Sequence, residues 1–153
     1  KCDKYDINFY NKFKSQCDQY FYNHHRKEAR GVGGIFYDYL GKGDKKNWKN
    51  LMNFQKEMSS SFLKIYLPIV NNNKSLLYSE SQKYWQELRR GRYVEFNLIH
   101  DKGTHFGIQT KGRIESIFVS LPPKVRWDYN FIPEKNSKEQ ELINILKNPV
   151  KWI

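Results

Sequence analysis

His100-Asp101-Lys102-Gly103-Thr104-His105 sets a carboxylate among basic side chains. Asp-x-Gly is ordinary turn chemistry. Here, however, the Asp101 carboxylate stands beside Lys102, His100 and His105, and a second turn brings Lys111 and Arg113. A carboxylate ringed by cations suits a ligand that offers N–H donors together with carboxylates of its own. The arginines add docking points. Arg26 lies near Arg30, and Arg89, Arg90 and Arg92 fall together. Planar guanidinium forks bind carboxylates and phosphates bidentately.

Other motifs carry less. His24, His25, His100 and His105 are the available imidazoles, and His100 and His105 flank Asp101, a spacing open to a surface metal. No HExxH or paired Cys/His spacing supports one. Gly31-Val32-Gly33-Gly34 follows a helical pattern and leads into a strand-like one, the reverse of a phosphate cradle, so it reads as a tight turn. Arg90 to Phe96 partly resembles the aromatic strand of RNA-recognition domains, but Arg92 stands where a small residue belongs.

The elements that must hold these residues follow from periodicity. Phe9, Phe13, Cys17, Tyr20 and Phe21 recur at helical spacing and predict a helix near 4–24. Ile35 to Tyr37 predicts a short strand. Asp44 is placed to cap a helix near 45–69 with a buried stripe of Trp48, Leu51, Met52, Met58, Phe62, Ile65 and Tyr66, closed or kinked by Pro68 and Asn71 to Asn73. Ser79 with Gln82 opens a helix near 80–90, and Gly91 stands as its stop. Beyond it, Val94, Phe96 and Leu98 alternate with polar neighbours, as do Phe106 and Ile108 and then Val125 to Phe131. That pattern predicts a strand meander near 92–131. Ser137 with Gln140 opens a last helix near 137–148. The expected architecture is α+β: one domain over 1–153, an α/β/α sandwich whose mostly antiparallel central sheet is flanked by helices.

Composition bounds the function. The 153 residues are 39% hydrophobic and 16% aromatic, which excludes a disordered chain. The longest apolar run, Ile65 to Val70, is too short to span a bilayer. Cys2 and Cys17 form no disulfide framework, and no amino-terminal stretch reads as a signal peptide, so a reducing, cytoplasmic setting is expected. The chain starts at Lys1 rather than Met, which points to a piece of something longer. Lys and Arg total 27 against 16 acids, a net charge of +11, and such a field draws anions of any kind. A basic nucleic-acid-binding module is therefore an alternative reading, as is a non-catalytic truncated paralogue.

Several long strings, in order, resemble oxygen-dependent coproporphyrinogen III oxidase. They are His25 to Asp38 (HRKEARGVGGIFYD), Arg89 to Leu98 (RRGRYVEFNL), Asp101 to Thr104, Gly112 to Ile117, Ser120 to Pro123, and Arg126-Trp127. The resemblance runs nearly end to end and corresponds to the carboxy-terminal half of that family. It implies oxidative decarboxylation of two propionates of coproporphyrinogen III to vinyl groups, giving protoporphyrinogen IX in haem synthesis. Dioxygen is the co-substrate and no redox cofactor is required. It also implies a homodimer with its interface within Tyr93 to Asp128, and a partner that is neither nucleic acid nor membrane. Plastid and mitochondrial intermembrane space are the other compartments in which the family occurs.

Position by position, the resemblance makes Asp101 the catalytic carboxylate that engages the pyrrole N–H groups. Lys102 stands where the family usually has Arg, exchanging a rigid fork for a point charge. The family's Gly-Gly-Arg substrate loop falls on Lys111-Gly112-Arg113, with Lys in place of the first Gly. His25 matches a histidine taken as a divalent-metal ligand in bacterial members. Arg26 and Arg30 are expected as propionate partners on grounds of charge. The family's proton-donor histidine and an Asn-x-Arg substrate segment belong to the half before Lys1, so this chain alone is expected to be inactive.

Overall fold

A computed structural model of the chain describes residues 1–43 and 47–151. After a 3-10 turn at Cys2–Lys4 come α1 (Phe9–Tyr20), β1 (Tyr22–Asn23), β2 (Glu28–Ala29), α2 (Trp48–Asn73), α3 (Glu80–Ile99), α4 (Lys102–Gln109), α5 (Ile114–Ile117) and α6 (Lys138–Lys147). The described sheet is one antiparallel pair, with Tyr22 opposite Ala29 and Asn23 opposite Glu28. Helix and strand are both present, as an α+β class requires. Contacts gather the chain into two compact units, Lys1–Cys17 with Gly34–Tyr78 and Asp18–Gly33 with Ser79–Ile153.

The first unit is built on aromatic packing. Phe13 and Phe54 are fully buried beside Cys2, with Tyr5, Phe9 and Tyr37 against them. Phe9 meets Phe54 edge-on at 5.1 Å, and Phe13 lies 4.6 Å from Tyr37, geometries that aromatic quadrupoles favour. Phe36 donates its backbone N–H to the Phe13 carbonyl, so the 35–37 segment is pinned to α1 without pairing as a strand. Gly41 has φ +75, and a Cβ there would run into Leu51 Cδ1, so glycine is required twice over. The expected cap Asp44 lies outside the described residues; Asn47 holds the N-cap position of α2.

The expected stripe of α2 is only partly buried. Leu51 and Phe54 enter the core, Met52 and Met58 are half-buried, and Trp48, Phe62, Ile65 and Tyr66 are exposed. The rings of Tyr5, Phe9, Phe13 and Tyr37 all gather on Phe54, and the packed cluster reaches no further along α2 than Met58. The helix also runs through Pro68 to Asn73.

The second unit corrects the expected meander at 92–131. Residues 92–99 continue α3, and 102–109 and 114–117 form α4 and α5. The reason sits at Gly91. It does not stop the helix; it is buried inside it, where a Cβ would come within 2.7 Å of the Arg126 carbonyl oxygen and 3.3 Å of the Trp127 ring nitrogen. Glycine lets the 126–127 backbone lie directly on α3, and Arg126 donates its N–H to the Glu87 carbonyl. The buried face past Gly91 is Val94, Glu95 and Phe96, with Arg92 half-buried beside them. Two of those four are charged, so an apolar count misses the helical period. Both halves of the Ser79–Gln82 capping box are formed, and the Ser137 hydroxyl accepts the Gln140 N–H.

Candidate functional site

Glu95 is the electrostatic centre of the second unit. One oxygen, Oε2, accepts from Arg26 Nε at 3.0 Å and faces His25 Nε2 at 2.8 Å. The other, Oε1, accepts from Arg26 Nη2 at 2.7 Å, Arg92 Nη1 at 3.1 Å and Trp127 Nε1 at 2.9 Å. Burial alone would raise this carboxyl. The hydrogen bonds from Arg26 and His25 and the charge of Arg92 overcome it and hold Glu95 at about 2. A second acid, Glu28 on β2, accepts from Arg89 Nη1 at 2.7 Å and lies 3.6 Å from Arg92 Nε. The short β1–β2 hairpin therefore serves α3: its turn supplies His25 and Arg26, and its second strand supplies Glu28.

Asp101 sits where α3 ends and α4 begins. It is the N-cap of α4, and Oδ2 accepts both the Thr104 backbone N–H at 2.8 Å and the Thr104 hydroxyl at 2.9 Å. Among the described residues, Oδ1 accepts only the Tyr20 hydroxyl, at 3.2 Å, long for an O–H···O bond. One oxygen is anchored and the other is loosely held. Among the described residues no cation forms an ion pair with Asp101. Lys102 is exposed, with its ammonium 5.8 Å from the Tyr20 ring. Lys111 adopts a left-handed φ of 56, and the Gly112 N–H returns to the Gly107 carbonyl at 2.9 Å. Arg113 is the exposed N-cap residue of α5, 3.5 Å from an equally exposed Glu115. The Asp101 and Lys111–Arg113 segments thus bracket α4 at its two ends.

The two arginines expected to bind propionates have different surroundings. Arg26 has Nε and Nη2 on Glu95. Arg30 stacks its guanidinium on Phe21 at 4.1 Å, Phe96 at 4.8 Å and Tyr93 at 5.0 Å. The metal expectation at His25 does not fit its surroundings. One ring nitrogen faces Glu95 and the other lies 3.2 Å from His100 Nε2. Among the described residues no group of three His, Cys, Asp or Glu is arranged to hold a metal ion. Burial pushes His100 below its ordinary value, and the neighbouring His25, His24 and His105 add to this. Glu95 was not foreseen. The available signal was an acid three residues after Arg92, in a stretch rich in arginine.

The fold and these clusters define a basic protein whose buried acids are saturated by arginine, with a capped carboxylate and exposed cations along α4. The family model for coproporphyrinogen III oxidase matches residues 1–152, and the chain belongs to that family. It is 50% identical over 152 residues to the chloroplastic oxygen-dependent coproporphyrinogen-III oxidase of Hordeum vulgare, covering 99% of this chain and 38% of that protein. Identity to the chloroplastic enzyme of Glycine max is 51%, with 39% of it covered. The oxygen-dependent coproporphyrinogen-III oxidase of Francisella tularensis subsp. novicida (strain U112) is 49% identical, with 99% of this chain and 48% of that protein covered. The chain therefore spans less than half the length of these relatives. No helix among the described residues is long and apolar enough to cross a membrane.

Proposed function

We propose that this chain is part of an oxygen-dependent coproporphyrinogen III oxidase, with residues 1–153 as one domain-sized piece of its α/β/α sandwich. The observation that carries the reading is half identity, over 99% of the chain, to proteins of that name. In the reaction each of two propionate arms loses its carboxylate as carbon dioxide and a hydride to dioxygen, which takes one proton from the medium, leaving a vinyl group and hydrogen peroxide. Asp101 is the chain's acid–base candidate. Thr104 fixes Oδ2, while Oδ1 can exchange its long Tyr20 contact for pyrrole N–H donors. Lys102, Lys111 and Arg113 are exposed cations at the two ends of α4, and we assign them to the substrate carboxylates, with Gly112 shaping the loop. We take the compartment to be cytoplasmic; the plant relatives are named chloroplastic.

The test is aerobic conversion of coproporphyrinogen III to protoporphyrinogen IX. The 153-residue chain alone is expected to give none. A polypeptide joining it to the segments it lacks from the Hordeum vulgare relative is expected to be active, and an inactive but folded chimera overturns the reading.

The same proposal makes the protein a homodimer through Tyr93 to Asp128. Supporting it, Leu98, Ile99, Phe106 and Val119 all lie in that stretch as exposed apolar side chains, Val119 at 81%. The active chimera should sediment as a dimer, and Phe106→Asp with Val119→Asp should shift it to monomer. A dimer unchanged by both substitutions places the interface elsewhere.

A further inference from the structure

The cavity between β2, α3 and α6 has no part in the reading above. We infer that it is a binding subsite for a carboxylate carried on an apolar stem. Its volume is about 200 Å³, enough for a carboxyl group and a short stem and too small for a macrocycle. The charged part of its lining is mostly cationic: Arg26, Arg89, Arg92 and Lys147, with Glu28 as the acid among them. Not all of their donors are engaged. Arg89 gives Nη1 to Glu28, but its Nη2 is buried with no hydrogen-bond partner among the described residues. Such a donor is satisfied by an arriving acceptor and by little else. Arg92 is shared between Glu28 and Glu95, and burial holds its guanidinium below its ordinary value, with repulsion from Arg26 and Arg89 adding to this. Lys147 is exposed at the rim and makes no ion pair among the described residues.

The same lining includes apolar rings, and the Arg89 guanidinium lies 5.7 Å from the centroid of the Trp85 ring. Trp85 and Phe131 lie with ring centroids 5.7 Å apart, and both also line a neighbouring cavity of about 550 Å³. A hydrocarbon or aromatic body bearing the carboxylate can therefore rest against that ring pair. That lining favours an amphipathic carboxylate over a hydrated inorganic anion. Two sources share this chemistry: an arm of a tetrapyrrole, or a separate small carboxylic acid.

Calorimetric titration of the 153-residue chain with 3-phenylpropionate tests the assignment, with 3-phenylpropanamide as the uncharged control. Saturable binding of the acid and none of the amide is expected. Lys147→Gln should weaken it about fivefold, as befits a rim charge, and Arg89→Gln more than about tenfold. Glu28→Gln should tighten it, because a competing carboxylate is removed. Lys64→Gln, which removes an equal charge from an exposed position on α2, should leave it unchanged. Amide binding equal to acid, or equal weakening by Lys147→Gln and Lys64→Gln, overturns the subsite in favour of the general field of the protein. Lys147→Gln keeps the test valid if Arg89→Gln fails to fold. Coproporphyrin III then separates the sources. The same Lys147 penalty identifies a tetrapyrrole arm, and a penalty confined to 3-phenylpropionate identifies a small free acid.

Discussion

Asp101→Asn in the full-length chimera is expected to lower coproporphyrinogen III turnover by about a hundredfold while the thermal midpoint barely moves. The two readouts separate because the residue has two jobs on two oxygens. Oδ2 caps α4 through the Thr104 N–H and hydroxyl. Asparagine is as good an N-cap as aspartate, so the helix start survives the substitution. What is lost is the negative charge, and with it the capacity to take or hold a pyrrole proton. Thr104→Ala is the complementary variant. It removes the hydroxyl contact to Oδ2, costs about 1 kcal/mol of stability or less, and should leave turnover within a few-fold. If Asp101→Asn works at a near-normal rate, the carboxylate is a helix cap and the acid–base role belongs to another group.

That residue also shows what the sequence could and could not reveal. Asp101 stood out by its neighbours, and it lies at a junction of elements as a turn aspartate should. The ring of cations around it did not form, because adjacency in sequence says little about side chains on either side of a helix cap. His100 closes α3 and faces His25, and Lys102 leans toward Tyr20. Local signals fared best. Ser79 with Gln82 and Ser137 with Gln140 start their helices as read, since a cap is decided within four residues.

The long-range features were hidden for a common reason. Gly91 looks like a stop from sequence, and only the Arg126 and Trp127 segment packed against it explains a glycine inside α3. Val94, Phe96 and Leu98 alternate convincingly, yet Leu98 is exposed while Glu95 is buried. A helix whose inner face is half ionic carries no apolar stripe for periodicity to find. Its partners, His25 and Arg26, come from some 70 positions away.

Removing Glu95 should therefore damage the second unit about as much as truncating a buried apolar side chain near it. Glu95→Gln is expected to cost about 3 kcal/mol, because the largely buried Arg92 is left with a weaker acceptor, while Trp127 and Arg26, which are partly exposed, recover some hydration. The pH dependence fixes the sign independently. The carboxyl is held at about 2 in the folded chain against an ordinary 4.5. A depressed carboxyl stabilises the fold fully above the unfolded value, so its contribution is present above about pH 4.5 and is lost as pH falls toward 2. That interval corresponds to about 3 kcal/mol, matching the cost of the substitution. Denaturant unfolding at pH 7 and at pH 3 should accordingly show wild-type stability dropping steeply between the two, and Glu95→Gln dropping much less. Glu115→Gln, which breaks a fully exposed pair with Arg113, should track wild type at both values. Parallel acid profiles for wild type and Glu95→Gln would mean that the Arg26–Glu95–Arg92 network does not hold α3 to the β1–β2 hairpin, and that aromatic packing of Phe21 and Phe96 does so instead.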